Sequence, residues 1–304
     1  MKNKVLIVVG PTASGKTDAA FAIARITGGE IISCDSMQVY RDMPVLTQAP
    51  PDRLLREIPH HLISIISPEE EYSAAKFRQD AGALLKDIVS RKRVPVIAGG
   101  TGLYLKALLD GLFDAPEKDP GLRYQIEKRA VDAGAQSVYI ELAEKDPEAA
   151  AKIHPNDIRR IVRALEVFYL TGIPISEHKK KTSGIAGGGV YDIHMFGIDI
   201  PRNALYRKIN ERVDKMFEAG IVDEVKGLLK RDLSVTARAA LGIKEVGGYL
   251  EGLYDPGEAK EILKKNTRRY AKGQMTWFRA DKRIRWFDGG EGIISHCGSL
   301  FGQR

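Results

Sequence analysis

The sequence contains almost no cysteine: Cys34 and Cys297 are its only two, and they stand far apart. That excludes a disulfide framework and any paired-cysteine zinc spacing, and makes a reducing cytoplasm the expected compartment. Long apolar runs are missing too. The longest near the start, Val5-Leu6-Ile7-Val8-Val9, is too short to span a membrane, and no signal-peptide cleavage pattern follows it. No membrane partner is therefore expected. There is no internal repeat and no low-complexity block beyond a short glycine-rich stretch at 184–189. Negative charge is in the minority, 40 Asp plus Glu against 47 Lys plus Arg, for a net charge of +7. A polyanion-binding protein shows such a surplus, but so does a protein with a modest excess of surface lysine. With 304 residues, 43% of them hydrophobic and 29% charged, the chain has room for one large domain carrying a smaller insertion.

What is present reads as alternating strands and helices. Residues 4–9 form a buried strand, 10–15 a glycine-rich loop and 16–26 a helix. A second strand at 31–34 ends at Asp35, and a third at 94–98 breaks at Gly99-Gly100 before a helix over 101–109. Between them, 74–91 has helical spacing, with Phe77, Ala81, Leu84, Leu85 and Ile88 on one face. Strands that alternate with helices in this way predict an α/β fold with a parallel sheet covered on both faces. From about 114 to 181 the pattern changes to charged helices without a convincing strand. One of these begins at the capping pair Asn156-Asp157 and stops at Thr171-Gly172. Its apolar face is Ile158, Ile161, Val162, Leu165, Phe168 and Tyr169, with Arg159, Arg160, Arg163 and Glu166 on the rest of its surface. A strand at 194–200 and helices at 203–219 and 258–278 follow. The expected organisation is a core over 1–113, a helical insertion over 114–189, and the second part of the core over 190–304.

The strongest local signal is Gly10-Pro11-Thr12-Ala13-Ser14-Gly15-Lys16-Thr17, a complete phosphate-loop pattern between a strand and a helix. Glycines let backbone N–H groups turn inward around phosphate oxygens, and the helix N-terminus adds partial positive charge. Lys16 would neutralise the terminal phosphate and the Thr17 hydroxyl would hold Mg²⁺. An NTPase usually places a metal-binding aspartate at the end of a neighbouring strand. Here 94–98 ends in Gly99-Gly100-Thr101-Gly102, and the aspartate stands at Asp35 instead. Ligands of an open parallel sheet sit at the strands' carboxyl ends, so Asp35 and Thr101 should both overlook the phosphates. Position alone leaves Asp35 as a metal ligand, a base toward an acceptor, or a cap for the following segment.

Several further runs occur in a fixed order: Asp35-Ser36-Met37-Gln38-Val39-Tyr40, Pro59-His60-His61-Leu62, Tyr72-Ser73-Ala74-Ala75-Lys76-Phe77 and Gly99-Gly100-Thr101-Gly102-Leu103-Tyr104. His154-Pro155-Asn156-Asp157, the arginine-rich segment 160–167 and Thr276-Trp277-Phe278 continue the set, which spans nearly the whole chain. Together with the phosphate loop they closely resemble the tRNA dimethylallyltransferase (tRNA isopentenyltransferase) family. The resemblance implies a P-loop kinase-like core with a helical insertion that grips the anticodon stem-loop. It recasts the loop from Gly10 to Thr17 as a cradle for dimethylallyl diphosphate, with Arg212 facing the diphosphate and Lys16 aiding catalysis. Asp35 then matches the general base that takes a proton from the adenine amine, and Thr101 the threonine beside the reacting centre. Asp35, Ser36, Met37 and Gln38 match the segment that holds the target nucleotide. Arg123, Arg159, Arg160, Ile161, Val162 and Arg163 match tRNA contacts. The implied reaction is prenylation of the adenosine 3′ of the anticodon, position 37, in tRNAs reading codons that begin with U, by a Mg²⁺-dependent monomer. Prenylation of free AMP, an ATP-dependent small-molecule kinase and a tRNA binder without activity are the rival readings.

Adjacent His60 and His61 invite a metal reading, but adjacent side chains point apart on most backbones and no third ligand stands nearby, so a structural role is expected. Lys264, Lys265, Arg268, Arg269, Lys272, Arg279, Lys282, Arg283 and Arg285 form a basic cluster suited to RNA phosphates, interleaved with Trp277, Phe278, Trp286 and Phe287, which are expected in the core. Two positions depart from the family pattern: Gly273 replaces a basic residue and Ile243 an aromatic one.

Overall fold

Six parallel strands form one sheet in the computed structural model, which describes residues 2–113 and 116–302. They are β1 (Asn3–Val9), β2 (Glu30–Ser33), β3 (His60–His61), β4 (Pro95–Gly99), β5 (Tyr191–Asp199) and β6 (Ile284–Asp288), in the spatial order β3-β2-β4-β1-β5-β6. β1 lies between β4 and β5, with Val9 opposite Gly99 on one side and Gly197 on the other. Val5 to Val9 are accordingly buried without a break, as a strand covered on both faces requires. Helix Lys16–Thr27 buries Ala19, Ala20, Ile23 and Ala24 on one face against Leu6, Val8, Ile31 and Val96 of the sheet. Helix Gly290–Leu300 adds Ile293 and Cys297 to the same core, so that cysteine is a packing residue.

Strands at 31–34, 94–98 and 194–200 are present within a few residues of the sequence reading. β3 and β6 were not anticipated. β3 has only two residues, and β6 lies among basic residues that disguise its alternation. Trp286 of β6 lies so close to Gly197 of β5 that a Cβ there would come within 2.5 Å of its ring. Phe287 packs edge-on against Phe196 with ring centroids 5.9 Å apart. Phe278 is buried, whereas Trp277 keeps 41% of its surface exposed.

By its contacts the chain divides into two compact units, one spanning Leu109–Gly187 and the other comprising the residues before and after it. The expected start of the insertion, Asp114, lies outside the described residues. Within Leu109–Gly187 the helices Pro120–Asp132, Ala135–Lys145 and Ile158–Thr171 surround a core of Ile126, Val138, Leu142, Ile161, Val162 and Leu165. Asp119 caps the first through the Leu122 N–H at 2.9 Å, and Asp157 caps the third through the Arg160 N–H. Gly172 ends the third in a left-handed turn. No helix among the described residues is long and apolar enough to cross a membrane.

Candidate active site

The phosphate loop connects β1 to helix Lys16–Thr27. Its last residue before the helix, Gly15, takes φ 86°, which releases the N–H groups of the first turn toward the loop's concave side. Ala13 also has positive φ, at 63°, an uncommon conformation for a residue with a Cβ and one that loops tolerate at functional sites. Beside the loop, Thr12, Lys16, Thr17, Asp35, Gln38, His60 and Arg212 line a cavity of about 560 Å³ measured out to its mouth.

The charges in this cavity are close enough to influence one another but are not paired. Lys16 donates to the Pro11 carbonyl at 3.2 Å. Burial pulls its ammonium down to about 8, Asp35 opposes that shift, and Arg212 reinforces it. Burial likewise lowers Arg212, against the pull of Asp35. Neither cation has an ion-pair partner among the described residues. Two cations and a single carboxylate therefore share a desolvated space, an arrangement complementary to a diphosphate.

Asp35 follows β2, whose neighbour β4 ends in the glycine run. One carboxylate oxygen, Oδ1, accepts from the Met37 N–H at 2.9 Å, which fixes the side chain; the following segment is a turn, so this is not a helix cap. The Thr101 N–H donates to the Cys34 carbonyl at 3.1 Å, and the Thr101 hydroxyl accepts from the Ser36 N–H at 2.9 Å. Thr101 thus ties the end of β4 to the segment carrying Asp35. The glycines allow this approach: a Cβ on Gly99 would come within 2.0 Å of the Cys34 carbonyl oxygen, and one on Gly102 within 2.2 Å of the Trp277 indole. Gln38 is held between Ser33 Oγ at 2.9 Å and the Gln48 carbonyl at 3.3 Å.

Two residues here escaped the sequence reading. Gln274, buried on helix Pro256–Arg279, accepts from the Thr12 N–H at 2.8 Å and donates to the Gly100 carbonyl at 2.9 Å. It joins the phosphate loop to the glycine run from the far end of the chain. The only local hint was a polar residue at the helical spacing of Leu263, Thr267, Ala271 and Phe278, which are all buried. His60 is the other. Its neighbour His61 is structural, bonded to Glu30 at 2.8 Å, but His60 lines the cavity. Glu30 also pairs with Arg91, and that partner above all holds its carboxyl down at about 2.

The proposed RNA-binding residues fall into two groups. Glu166, fully buried, accepts from Arg123 Nε at 2.7 Å, from Arg163 and from the Asp119 N–H at 2.9 Å. Arg123 and Arg163 are therefore held inside their unit. Ile161 and Val162 are buried in its core, so their side chains do not face solvent as RNA contacts would. Arg160 is exposed and pairs with Asp157 at 3.3 Å; Arg159 is exposed and has no ion-pair partner among the described residues. In the basic cluster, Lys264 pairs with Asp214, Arg268 bonds Asn210, Arg279 pairs with Asp199, and Arg283 pairs with Asp281. Lys265, Arg269, Lys272 and Lys282 have no such partner among the described residues. Gly273 is exposed with open space around it, and Ile243 is buried.

A parallel sheet, a phosphate loop leaving its central strand and a carboxylate, Asp35, just past the end of the next strand but one define a phosphate-loop α/β enzyme core. Two family models match the chain: "IPP transferase" over residues 38–281 and "Isopentenyl transferase" over residues 3–62. The tRNA dimethylallyltransferase of Geobacter sulfurreducens is 46% identical over 94% of this chain and 92% of its own, and that of Halothermothrix orenii 45% identical over 93% and 87%. Among solved structures, the tRNA isopentenylpyrophosphate transferase of Bacillus halodurans superposes with TM-score 0.72 at 38% identity, covering 99% of this chain and 97% of that one. A eukaryotic dimethylallyltransferase, described as acting on tRNA, gives TM-score 0.78 at 29% identity over 94% of this chain and 74% of that one. The chain belongs to the IPP transferase family.

Proposed function

We propose that this protein transfers a dimethylallyl group from dimethylallyl diphosphate to the N6 amine of the adenosine immediately 3′ of a tRNA anticodon, position 37, in tRNAs reading codons that begin with U. The observation that carries the reading is the cavity in which Lys16, Thr17 and Arg212 face a single carboxylate, Asp35. In the reaction the allylic carbon–oxygen bond breaks, a bond forms from that carbon to N6, and diphosphate leaves. Negative charge grows on the leaving group, where Lys16, Arg212 and the N–H groups of the phosphate loop stabilise it. The amine proton passes to Asp35, held in place through the Met37 N–H. Thr101 positions the Asp35 segment. Because the target base must leave its stack to enter such a cavity, a loop nucleotide is the least costly acceptor.

Mg²⁺ fits this site as a substrate-borne ion. Among the described residues no cluster of three His, Cys, Asp or Glu could hold a metal. A cation bound by diphosphate oxygens and the Thr17 hydroxyl needs no such cluster, and would neutralise charge on the diphosphate. Arg159 and Arg160 are the best-placed RNA contacts of the helical unit, with Lys265, Arg269, Lys272 and Lys282 as further phosphate contacts. The named relatives are tRNA enzymes, which favours RNA over free AMP as the acceptor.

The test incubates the protein with Mg²⁺, dimethylallyl diphosphate and an anticodon stem-loop carrying three consecutive adenines, with AMP and ATP as controls. Mass spectrometry of the digested RNA should show one isopentenyl group on adenosine, with AMP untouched. Asp35→Ala is expected to slow transfer by about 10²- to 10⁴-fold while stem-loop binding persists. Consumed ATP with unmodified RNA would instead identify a kinase.

A further inference from the structure

Among the described residues, only Ser14 Oγ and His60 Nε2 are buried side-chain polar atoms without a hydrogen-bond partner. Ser14 belongs to the phosphate loop. His60 belongs to no assigned part of the site, yet its ring lines the same cavity as Asp35, Lys16 and Arg212. β3 sets its direction: His60 pairs with Ile31 of β2, while the next residue, His61, turns the other way and bonds Glu30. The His60 Nδ1 atom lies 2.7 Å from the Ile58 carbonyl oxygen. A carbonyl only accepts, so Nδ1 carries the proton and donates. In the neutral ring Nε2 is then a bare lone pair. Burial and the neighbouring His61 both lower the ring's affinity for a second proton, against the opposing effect of the Ile58 carbonyl.

A buried, unpartnered acceptor on a ring that lines a substrate cavity is matched by a donor that binds there. The ionised allylic diphosphate presents only acceptor oxygens and offers none. The adenine amine offers two N–H groups, of which Asp35 takes one.

We propose that His60 is a substrate-binding residue whose Nε2 accepts a hydrogen bond from the second N–H of the adenine amine, orienting that amine toward the allylic carbon and selecting an amino group at this position. The inference rests on the prenyl-transfer reading given above, and a separate measurement covers that reading: wild-type protein that fails to modify an ordinary stem-loop would overturn the reaction itself.

The test of His60 uses binding without turnover. Fluorescence anisotropy, with no allylic diphosphate present, compares a stem-loop bearing adenosine at the target position with one bearing N6-methyladenosine, which keeps a single N–H. Wild type is expected to bind the methylated loop more weakly by about 3- to 10-fold, the weight of one hydrogen bond. His60→Leu should bind both loops alike, and His60→Gln, which places an amide oxygen near the former Nε2, should recover part of the discrimination. Equal discrimination by wild type and His60→Leu would assign the effect to methyl bulk and overturn the proposal. So would a His60→Leu or His60→Gln protein whose KM rises for the diphosphate but not for the RNA. Thermal melts of all three proteins separate these effects from loss of fold, and should His60→Leu not fold, the comparison of His60→Gln with wild type stands alone.

Discussion

Buried charge is handled in opposite ways in the two units. In the helical unit Glu166 is sealed in, but two guanidinium groups and a backbone N–H saturate its oxygens. At the phosphate loop Lys16 and Arg212 are drawn out of water without an ion-pair partner among the described residues, and Asp35 is the carboxylate that acts on both. The first arrangement is finished by the protein itself and serves the fold. The second is completed only when an anion arrives, and the cost of holding like charges together is recovered on binding. Whether a buried charge is paired thus separates scaffold from site more sharply than its burial does.

Removing a partner from the finished cluster tests the scaffold side. Glu166→Ala leaves Arg123 and Arg163 facing an apolar core and is expected to destabilise the helical unit by about 3–5 kcal/mol, read as a lower melting transition. The cluster also sets an acid limit. Burial alone would raise the Glu166 carboxyl, but Arg123 and Arg163 hold it down at about 2. Because the folded value lies below the unfolded one, its stabilisation is complete above roughly pH 4.5 and is lost as pH falls through about 2. Urea titrations across that range should show the loss in wild type and not in Glu166→Gln.

On the open side, Lys16→Ala is expected to lower kcat/KM for the allylic diphosphate by about 10²- to 10³-fold with little change in melting temperature, since no ion pair is lost. Lys16 also gives the free enzyme a pH signature. Its ammonium titrates at about 8, so affinity for the diphosphate should be level below that pH and fall above it as the charge disappears. In Lys16→Arg the fall should move beyond the accessible range, and an unchanged profile would mean that another group titrates.

The smallest effect concerns the basic helix. Gly273 is exposed, with open space where a Cβ would project, so Gly273→Ala should stabilise the protein by about 1 kcal/mol without altering transfer. Reduced RNA affinity in that variant would show that the glycine itself is needed at the RNA surface.

The sequence was most legible where function is local. The phosphate loop is eight consecutive residues whose types follow from the backbone geometry they adopt, and the strand that leads to Asp35 could be read from its apolar run. Pairing across distance was not legible. Glu166 was assigned to the side of its helix away from the apolar face, although it stands four residues after the buried Val162, at the edge of the apolar stripe. Its burial depends on Arg123, which comes from another helix. Arg123, Arg163, Ile161 and Val162 were assigned together to RNA, because a resemblance carries motifs and not the direction in which each side chain points. The adjacent histidines show the same limit. A single structural role covers His61, while strand pairing sends His60 into the cavity.

The bridge made by Gln274 bears on how the enzyme comes into being. The phosphate loop is synthesised well before its partner: the Thr12 N–H bonds a side chain 262 residues further on, on a helix ending at residue 279. A chain still being translated, or one cut short before that helix, carries the whole phosphate-loop motif but lacks the acceptor for the Thr12 N–H. Such chains should be inert toward substrate until the helix Pro256–Arg279 forms and Gln274 closes onto the loop.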